Sequence, residues 1–328
     1  MLCLTLATLC CAQSADVVYI IDQSVGMGPE QNWIQNNAVW VDTQLIIGGV
    51  PDTRYALVGF GAIDPEPQTF PIAGSDFGSA AALAITADQL ATTGTTEDGY
   101  AAINHALFTL PFRNNVPIAI VLFTDEDRDV ISGFGFQSTL DNLAAGGAVL
   151  HVVVDATYQQ NDGTPATGLD RRRRAYLADG TGGVDIGASG FVAAAFGTTG
   201  PDYIALADQS GGATLDINAD RAGGTTQESF TAALVDALLM QLNPPLCTAD
   251  VTTAGAFVGD PGYGQPDGAV TGADLNYFVN LWIAGDLEAD ITTQGAPLSD
   301  PDYGVPDGLV TAADLLFFIE AWLEGCPW

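Results

Sequence analysis

The sequence predicts a doubly wound α/β domain on a mostly parallel sheet, followed by a small α-helical domain. Three observations carry that expectation. Short continuous apolar runs, "DVVYIID", "RYALVGFG", "VPIAIVLFTD" and "AVLHVVVDA", read as strands buried on both faces. Segments with helical spacing lie between them, "NWIQNNAVWVDTQLI", "YAAINHALFTL" and "FQSTLDNLAAGG", the last with a Gly stop. Beyond the break "NPPLC" the chain repeats itself at an offset of 40 residues without a gap, so that Asp250 matches Asp290, Asp260 matches Asp300, Asp267 matches Asp307 and Asp274 matches Asp314.

In chain order, the opening "MLCLTLATLCCAQSA", residues 1–15, has the apolar stretch and small-residue exit, at Ala12 or Ala15, of a secretory signal, although it lacks a positive n-region. The expected product is exported. Residues 16–245 carry the strand and helix alternation. A Gly- and Ala-rich stretch, about 157–201, interrupts it as a surface insertion containing "RRRR", Arg171 to Arg174. The alternation resumes with "YIALADQSGGATLDI" and a closing helix, "QESFTAALVDALLMQL". Residues 247–328 form the repeat domain. Removal of the leader leaves two cysteines, Cys247 and Cys326, and in an oxidising compartment they are expected to close that domain by a disulfide.

Charge narrows the partners. The formal net charge is -32, from 40 acids against 8 bases; all eight bases are Arg, and 32 of the acids are Asp. Nucleic acid and anionic membranes would be repelled by this field. Short carboxylates in loops instead suit hard cations such as Ca²⁺ and Mg²⁺. From Cys247 onward there are thirteen acids and no base, which requires bound cations to hold that domain together. No later apolar run spans a bilayer.

Each C-terminal copy contains "PDG-x-V-T-x-A-D" leading into a helix. The spacing fits positions 5, 6, 7, 9 and 12 of a Ca²⁺ loop of EF-hand type: Asp267, Gly268, the Ala269 carbonyl, Thr271 and Asp274, then Asp307, Gly308, the Leu309 carbonyl, Thr311 and Asp314. A contiguous frame would put Tyr263 and Tyr303 at position 1, where a carboxylate is needed. Positions 1 and 3 are therefore assigned to Asp250 and Thr252, and to Asp290 and Thr292, with an insertion looping out; Asp260 and Asp300 are rival first ligands. Leu275, Phe278, Val279 and Trp282, and their partners Leu315, Phe318, Ile319 and Trp322, follow the i, i+3, i+4, i+7 spacing of a core stripe. Two loop-helix repeats ending in "GCP" resemble a bacterial dockerin-type domain. That resemblance implies two Ca²⁺ ions and docking onto a cohesin-like or cell-surface scaffold.

The stretch "DQSVG" after the first strand resembles the first metal motif, D-x-S-x-S, of a von Willebrand factor type A domain. "GTTEDGYAAI" is similar to the second element, with Thr96 before a helix, and "IVLFTDEDRD" to the third, with Asp125 at a strand end. The resemblance implies a Rossmann-like doubly wound fold and an adhesion site in which Asp22, Ser24, Thr96 and Asp125 hold one Mg²⁺ or Mn²⁺, with an open position for a partner's carboxylate. Two acids and two hydroxyls suit an ion that keeps several waters. Gly26 stands where the motif has a second Ser, so one hydroxyl is absent, and Glu126 adds negative charge nearby.

Other chemistry is poorly served. Two histidines, His105 and His151, give no zinc cluster and are expected to be packed. Ser24 lies outside a nucleophile elbow. The arginine run is expected to balance nearby acids. The expected protein is thus a non-enzymatic, secreted or cell-surface binder that engages a protein through a metal site. The alternatives are a scaffolding protein whose metal site is degenerate and a hydrolase attached to an extracellular complex, with Asp22 and Asp125 as acid and base.

Overall fold

β1 (Ser14–Asp22) is an interior strand of the sheet, flanked in parallel by β2 (Asp52–Phe60) and β4 (Ile118–Thr124). With both neighbours covered by helices, successive side chains of β1 enter opposite cores. Val17, Tyr19 and Ile21 join one cluster with Trp33, Phe123 and Phe230, whereas Val18 and Ile20 join the other with Tyr100, Ile103 and Leu122. The coordinates are a computed structural model that describes residues 14–64, 66–242, 249–253, 255–256, 258, 260, 263–264, 270–293 and 307–324. The chain divides into two units, Met1–Asn243 and Pro244–Trp328. Among the described residues no helix is long and apolar enough to cross a membrane.

The first unit adds β3 (Gln68–Phe70), β5 (Ala148–Val154) and β11 (Thr214–Asp216), giving the order β3-β2-β1-β4-β5-β11. Only β3 is antiparallel within this part, and the order is that of a doubly wound sheet. Helices α1 (Gly28–Ile47) and α7 (Gly224–Leu242) pack together on one face, where the Trp33 indole donates to the Thr231 hydroxyl at 2.9 Å. Two further helices, α3 (Gly99–Thr109) and α4 (Phe136–Gly146), pack together, Tyr100 and Ile103 of α3 and Leu143 of α4 falling in the opposite core. Helix α2 (Ala80–Thr86) packs on α1, and α5 (Ala205–Ser210) precedes β11. The last connection is α6 (Ile217–Arg221), directly after β11.

The stretch expected to be a surface insertion extends the sheet instead. β6 (Ala156–Gln160), β7 (Pro165–Ala166), β8 (Gly168–Leu169), β9 (Arg174–Ala178) and β10 (Val184–Ala195) continue it antiparallel as β11-β8-β9-β10-β6-β7. Two of the four consecutive arginines are ion-paired, Arg173 with Asp208 and Arg174 with Asp170. His151 is buried between the Gln241 side chain, 2.7 Å from Nε2, and the Ala213 amide, which donates to Nδ1; His105 is half-buried beside Thr69.

The expected leader lies outside the described residues, except that Ser14 and Ala15 already pair with Asp52 and Thr53. A cut after Ala12 keeps β1 whole; one after Ala15 removes two paired residues.

In the second unit, α8 (Gly272–Ala284) and α9 (Ala312–Glu324) pack through Phe278 and Phe318, stacked with centroids 3.9 Å apart. Each helix also reaches the other repeat: Trp282 donates its indole N–H to the Thr311 carbonyl at 2.5 Å, and Trp322 to the Thr271 carbonyl at 2.7 Å. Leu275, Phe278, Trp282 and their counterparts Leu315, Phe318 and Trp322 form this small core, with Leu281 and Ala321 added; Val279 and Ile319, expected in the stripe, are half-buried outside this cluster. Cys247 and Cys326, and the disulfide expected of them, lie outside the described residues.

Candidate functional site

Ligands of doubly wound sheets sit beyond the carboxyl ends of the strands. Asp22 ends β1 and is fully buried there. Its Oδ1 accepts the Ser24 amide at 2.7 Å and its Oδ2 accepts the Thr124 hydroxyl, from the end of β4, at 2.8 Å. No cation pairs with it among the described residues. Burial, opposed by those two donors and aided by nearby Asp125, pushes its carboxyl up to about 7.

Asp125 and the Thr96 main chain approach it from separate loops. Gly26 has φ 124°, a backbone that side-chain-bearing residues rarely adopt, and a Cβ there would lie 3.3 Å from Asp125 Oδ2. The missing hydroxyl is therefore enforced by the turn. A Cβ added at Gly61, after β2, would lie 3.3 Å from Asp22 Oδ1, 3.4 Å from the Thr96 carbonyl oxygen and 3.0 Å from Glu97 Cγ. Asp22, Thr96 and Glu97 thus line one small cradle. Three buried polar atoms here have no hydrogen-bond partner among the described residues: Ser24 Oγ, Asp125 Oδ1 and Glu97 Oε1.

Glu97 is the member the sequence did not single out, although it directly follows Thr96. It is covered, and burial together with Asp22, Glu126, Asp129 and Asp125 pushes its carboxyl up to about 8. The surrounding loops are fixed. Asp98 caps α3 and takes a forked pair of bonds from Arg128, at 2.6 and 3.2 Å, while its Oδ2 accepts the Ser132 amide. Asp129 and Glu97 exchange backbone and side-chain bonds. Arg221 is the second residue the sequence did not reveal: it donates to Asp125 Oδ2 at 2.8 Å and to Glu30 Oε1 at 2.5 Å.

The donor set tests well against a hard cation. Two carboxylates, two hydroxyl-bearing residues and unpartnered buried oxygens are what Mg²⁺ or Mn²⁺ takes, with waters completing the shell. Among the described residues no group of three or more His, Cys, Asp or Glu is spaced to hold a metal by itself, so any ion here relies on hydroxyls and water.

In the second unit, Asp290 Oδ1 accepts the Asp307 amide at 3.1 Å and its Oδ2 the Gly308 amide at 2.6 Å. The residues assigned to positions 1, 5 and 6 of that loop therefore meet although they are 17 and 18 positions apart. Asp307 also accepts the Leu309 amide. Asp314 Oδ1 accepts the Ile291 and Thr292 amides, and its Oδ2 the Thr311 amide and hydroxyl; Asp274 repeats this with Val251, Thr252 and Thr271. Four donors on two oxygens fill a carboxylate's acceptor capacity. At position 12 the structure thus describes a clasp that ties each helix start to the residues at positions 2 and 3. Asp250 and Thr252 are buried near this clasp, with the Thr252 hydroxyl accepting the Gly264 amide. Asp267, Ala269 and Asp300 lie outside the described residues, and the Asp260 carbonyl accepts the Tyr263 amide.

No protein-family model matches the chain, and no curated protein matches it. Among solved structures it is similar to proximal thread matrix protein 1 from the mussel byssus, at 17% identity and a TM-score of 0.35, over 45% of this chain and 37% of that one. The same mussel protein with a zinc-occupied MIDAS motif is similar at 18% identity and a TM-score of 0.35, over the same shares of the two chains. A pilus adhesin, SpaC from Lactobacillus rhamnosus GG, is similar at 14% identity and a TM-score of 0.33, over 43% of this chain and 24% of that one. The chain spans well under half the length of these structures, and likeness of this degree carries no argument about function.

Proposed function

We propose that this chain is an exported, non-enzymatic binding protein. Its first unit, residues 16–245, is read as a von Willebrand type A domain that engages a protein partner through a divalent ion, and residues 247–328 as a dockerin-like, Ca²⁺-dependent tether to a surface scaffold. The observation that carries the first half is the trio of buried, unpartnered atoms, Ser24 Oγ, Asp125 Oδ1 and Glu97 Oε1, around the uncompensated Asp22. A buried polar atom without a partner costs about 1–3 kcal/mol, so three at one strand-end cluster favour a ligand that satisfies them together.

In that reading Asp22 and Asp125 supply the charges, and Ser24 and Thr96 the neutral oxygens. Glu97 adds a third acid behind them. When bound, Mg²⁺ or Mn²⁺ supplies an open coordination position that a partner's carboxylate completes. The chain's own part is to hold the donors on rigid strand ends, with Thr124 and the Ser24 amide fixing the Asp22 carboxylate. For the tether, Asp250, Thr252, Asp267, the Ala269 carbonyl, Thr271 and Asp274, and likewise Asp290, Thr292, Asp307, the Leu309 carbonyl, Thr311 and Asp314, are the proposed Ca²⁺ ligands, with Asp274 and Asp314 also tying each loop to its helix.

The competing reading is a scaffold protein whose type A domain binds without metal. The Arg221–Asp125 pair and Gly26 favour it, because one base already compensates one ligand. Titration of the full chain with Mg²⁺ or Mn²⁺ separates the two. The metal reading expects a binding event that Asp22→Ala removes while the C-terminal sites remain; unchanged binding in that variant, or none in the wild type, excludes it.

A further inference from the structure

We infer that Arg221 is a tethered cation that competes with the divalent ion for Asp125 and so sets how tightly the adhesion site holds metal. The inference rests on the metal reading above and concerns a residue that the reading does not use. Arg221 ends α6, 96 positions from Asp125 in sequence, yet its Nη2 lies 2.8 Å from Asp125 Oδ2 and 3.8 Å from Met27 Sδ. Its Nε lies 2.5 Å from Glu30 Oε1. Among the described residues it is the one base hydrogen-bonded to a proposed ligand. Arg128, the other base nearby, is committed to Asp98.

The geometry gives the competition a direction. Asp125 presents two oxygens: Oδ1 is buried without a partner, and Oδ2 is held by Arg221 on the side that faces Gly26. The oxygen that the guanidinium holds is also the one nearest the Gly26 Cβ position, 3.3 Å from it. Arg cannot lose its charge, so its hold on Asp125 is a permanent opposing field for a second cation. Glu30 supplies the other half of the device. It is fully buried, one of its oxygens is held by Arg221, and the other has no partner among the described residues. Arg221 can therefore give up Asp125 and remain paired with Glu30. The side chain is 28% exposed, so it is reachable from solvent. A site held this way takes metal weakly, and is filled where the cation is abundant or where a partner's carboxylate adds to the ion's hold.

The test is Mn²⁺ and Mg²⁺ titration of the full chain as wild type, Arg221→Met, Arg221→Lys and the double variant Glu30→Gln/Arg221→Met. Each is compared with the same chain carrying Asp22→Asn, which subtracts ions held by the C-terminal repeats. The Asp22-dependent binding is expected to tighten about tenfold or more in Arg221→Met and to stay within about threefold of wild type in Arg221→Lys, which keeps the charge. The double variant avoids leaving Glu30 buried and unpaired, and is expected to bind more tightly than wild type as well. The Mg²⁺-induced rise in melting temperature should grow in the same order. Equal or weaker binding in Arg221→Met and in the double variant overturns the inference while the metal reading stands. Absence of Asp22-dependent binding in every chain removes the metal reading and the inference together.

Discussion

Asp16 and Asp22 sit at opposite ends of one strand, both fully buried, and they are treated in opposite ways. At Asp16, burial alone would raise the carboxyl, but Arg54 at 2.7 Å and Arg113 at 2.8 Å outweigh it and hold the group below its ordinary range. At Asp22 the neighbours are a backbone amide and a hydroxyl, and burial wins. The first end is a finished ion-pair network that closes the bottom of the sheet. The second keeps an electrostatic deficit that a small cation would fill. In a chain with only eight bases, where the bases stand separates structure from function.

The largest expected effect breaks that contrast by pH. The folded-state value of Asp22 is raised, so between about pH 4 and 7 the folded chain binds more protons than the unfolded one. Its stability therefore falls as pH rises through that window. With chelator present, the wild type should lose stability relative to Asp22→Asn on the order of 3 kcal/mol between pH 4 and 8, read from urea melts. Addition of Mg²⁺ should recover part of that loss at pH 8 and little of it at pH 4. Parallel pH profiles for the two chains would mean that Asp22 is already compensated.

Asp16→Ala tests the other end. Removing one partner of a buried pair is costly, commonly about 3–5 kcal/mol, but Arg54 and Arg113 are a quarter exposed and regain some hydration. A loss of roughly 2–3 kcal/mol at pH 7 is expected, with no change in Mg²⁺ affinity. The sign with pH is opposite to that of Asp22, because a depressed carboxylate gives stability above about pH 4 that disappears as pH falls through its folded value.

The second unit repeats the contrast in miniature. Asp274 and Asp314 have full sets of donors, whereas the loops beside them are strongly acidic without a base. Asp314→Ala should therefore cost about 2 kcal/mol even in chelator, since it strands backbone amides of Ile291, Thr292 and Thr311. Asp290→Asn should do little in chelator and remove most of the Ca²⁺-induced stabilisation. A melting curve of the C-terminal unit insensitive to Ca²⁺ would count against the tether.

Much of this was legible in the chain. The strand that ends at Asp22 is an apolar run stopped by an acid, and the doubly wound order follows from alternating runs and helical segments. Asp125 was legible because it directly follows a strand of seven buried residues. The antiparallel extension was not. β10 is twelve residues long but mostly exposed, and its Gly, Ala and Ser give no period-two pattern to read. Arg221 was equally hidden: its neighbour in space, Asp125, lies 96 positions away, and no motif links them. Glu97 stood in view after Thr96, but adjacency could not say that its side chain turns inward with Asp22. The clasp at Asp274 and Asp314 escaped for a related reason, since the spacing that suits a metal ligand also suits a capping box.

The smallest expected effect is the most discriminating at the upper end of β1. Ser24 is 1% exposed and its hydroxyl has no partner among the described residues. An ordinary buried serine loses a hydrogen bond when replaced by alanine, and the protein weakens by about 1 kcal/mol. Here the hydroxyl makes no well-formed hydrogen bond, although it lies near enough to Asp22 to favour its carboxylate, so Ser24→Ala in chelator should leave stability unchanged or raise it by up to about 1 kcal/mol, through removal of an unsatisfied polar atom. The same substitution deletes a neutral oxygen from the proposed ion and should weaken Mg²⁺ binding several-fold. Gain in one measurement and loss in the other identify a residue kept for a ligand against the interest of the fold. A loss of stability in chelator would instead give Ser24 a structural partner and return that strand end to ordinary architecture.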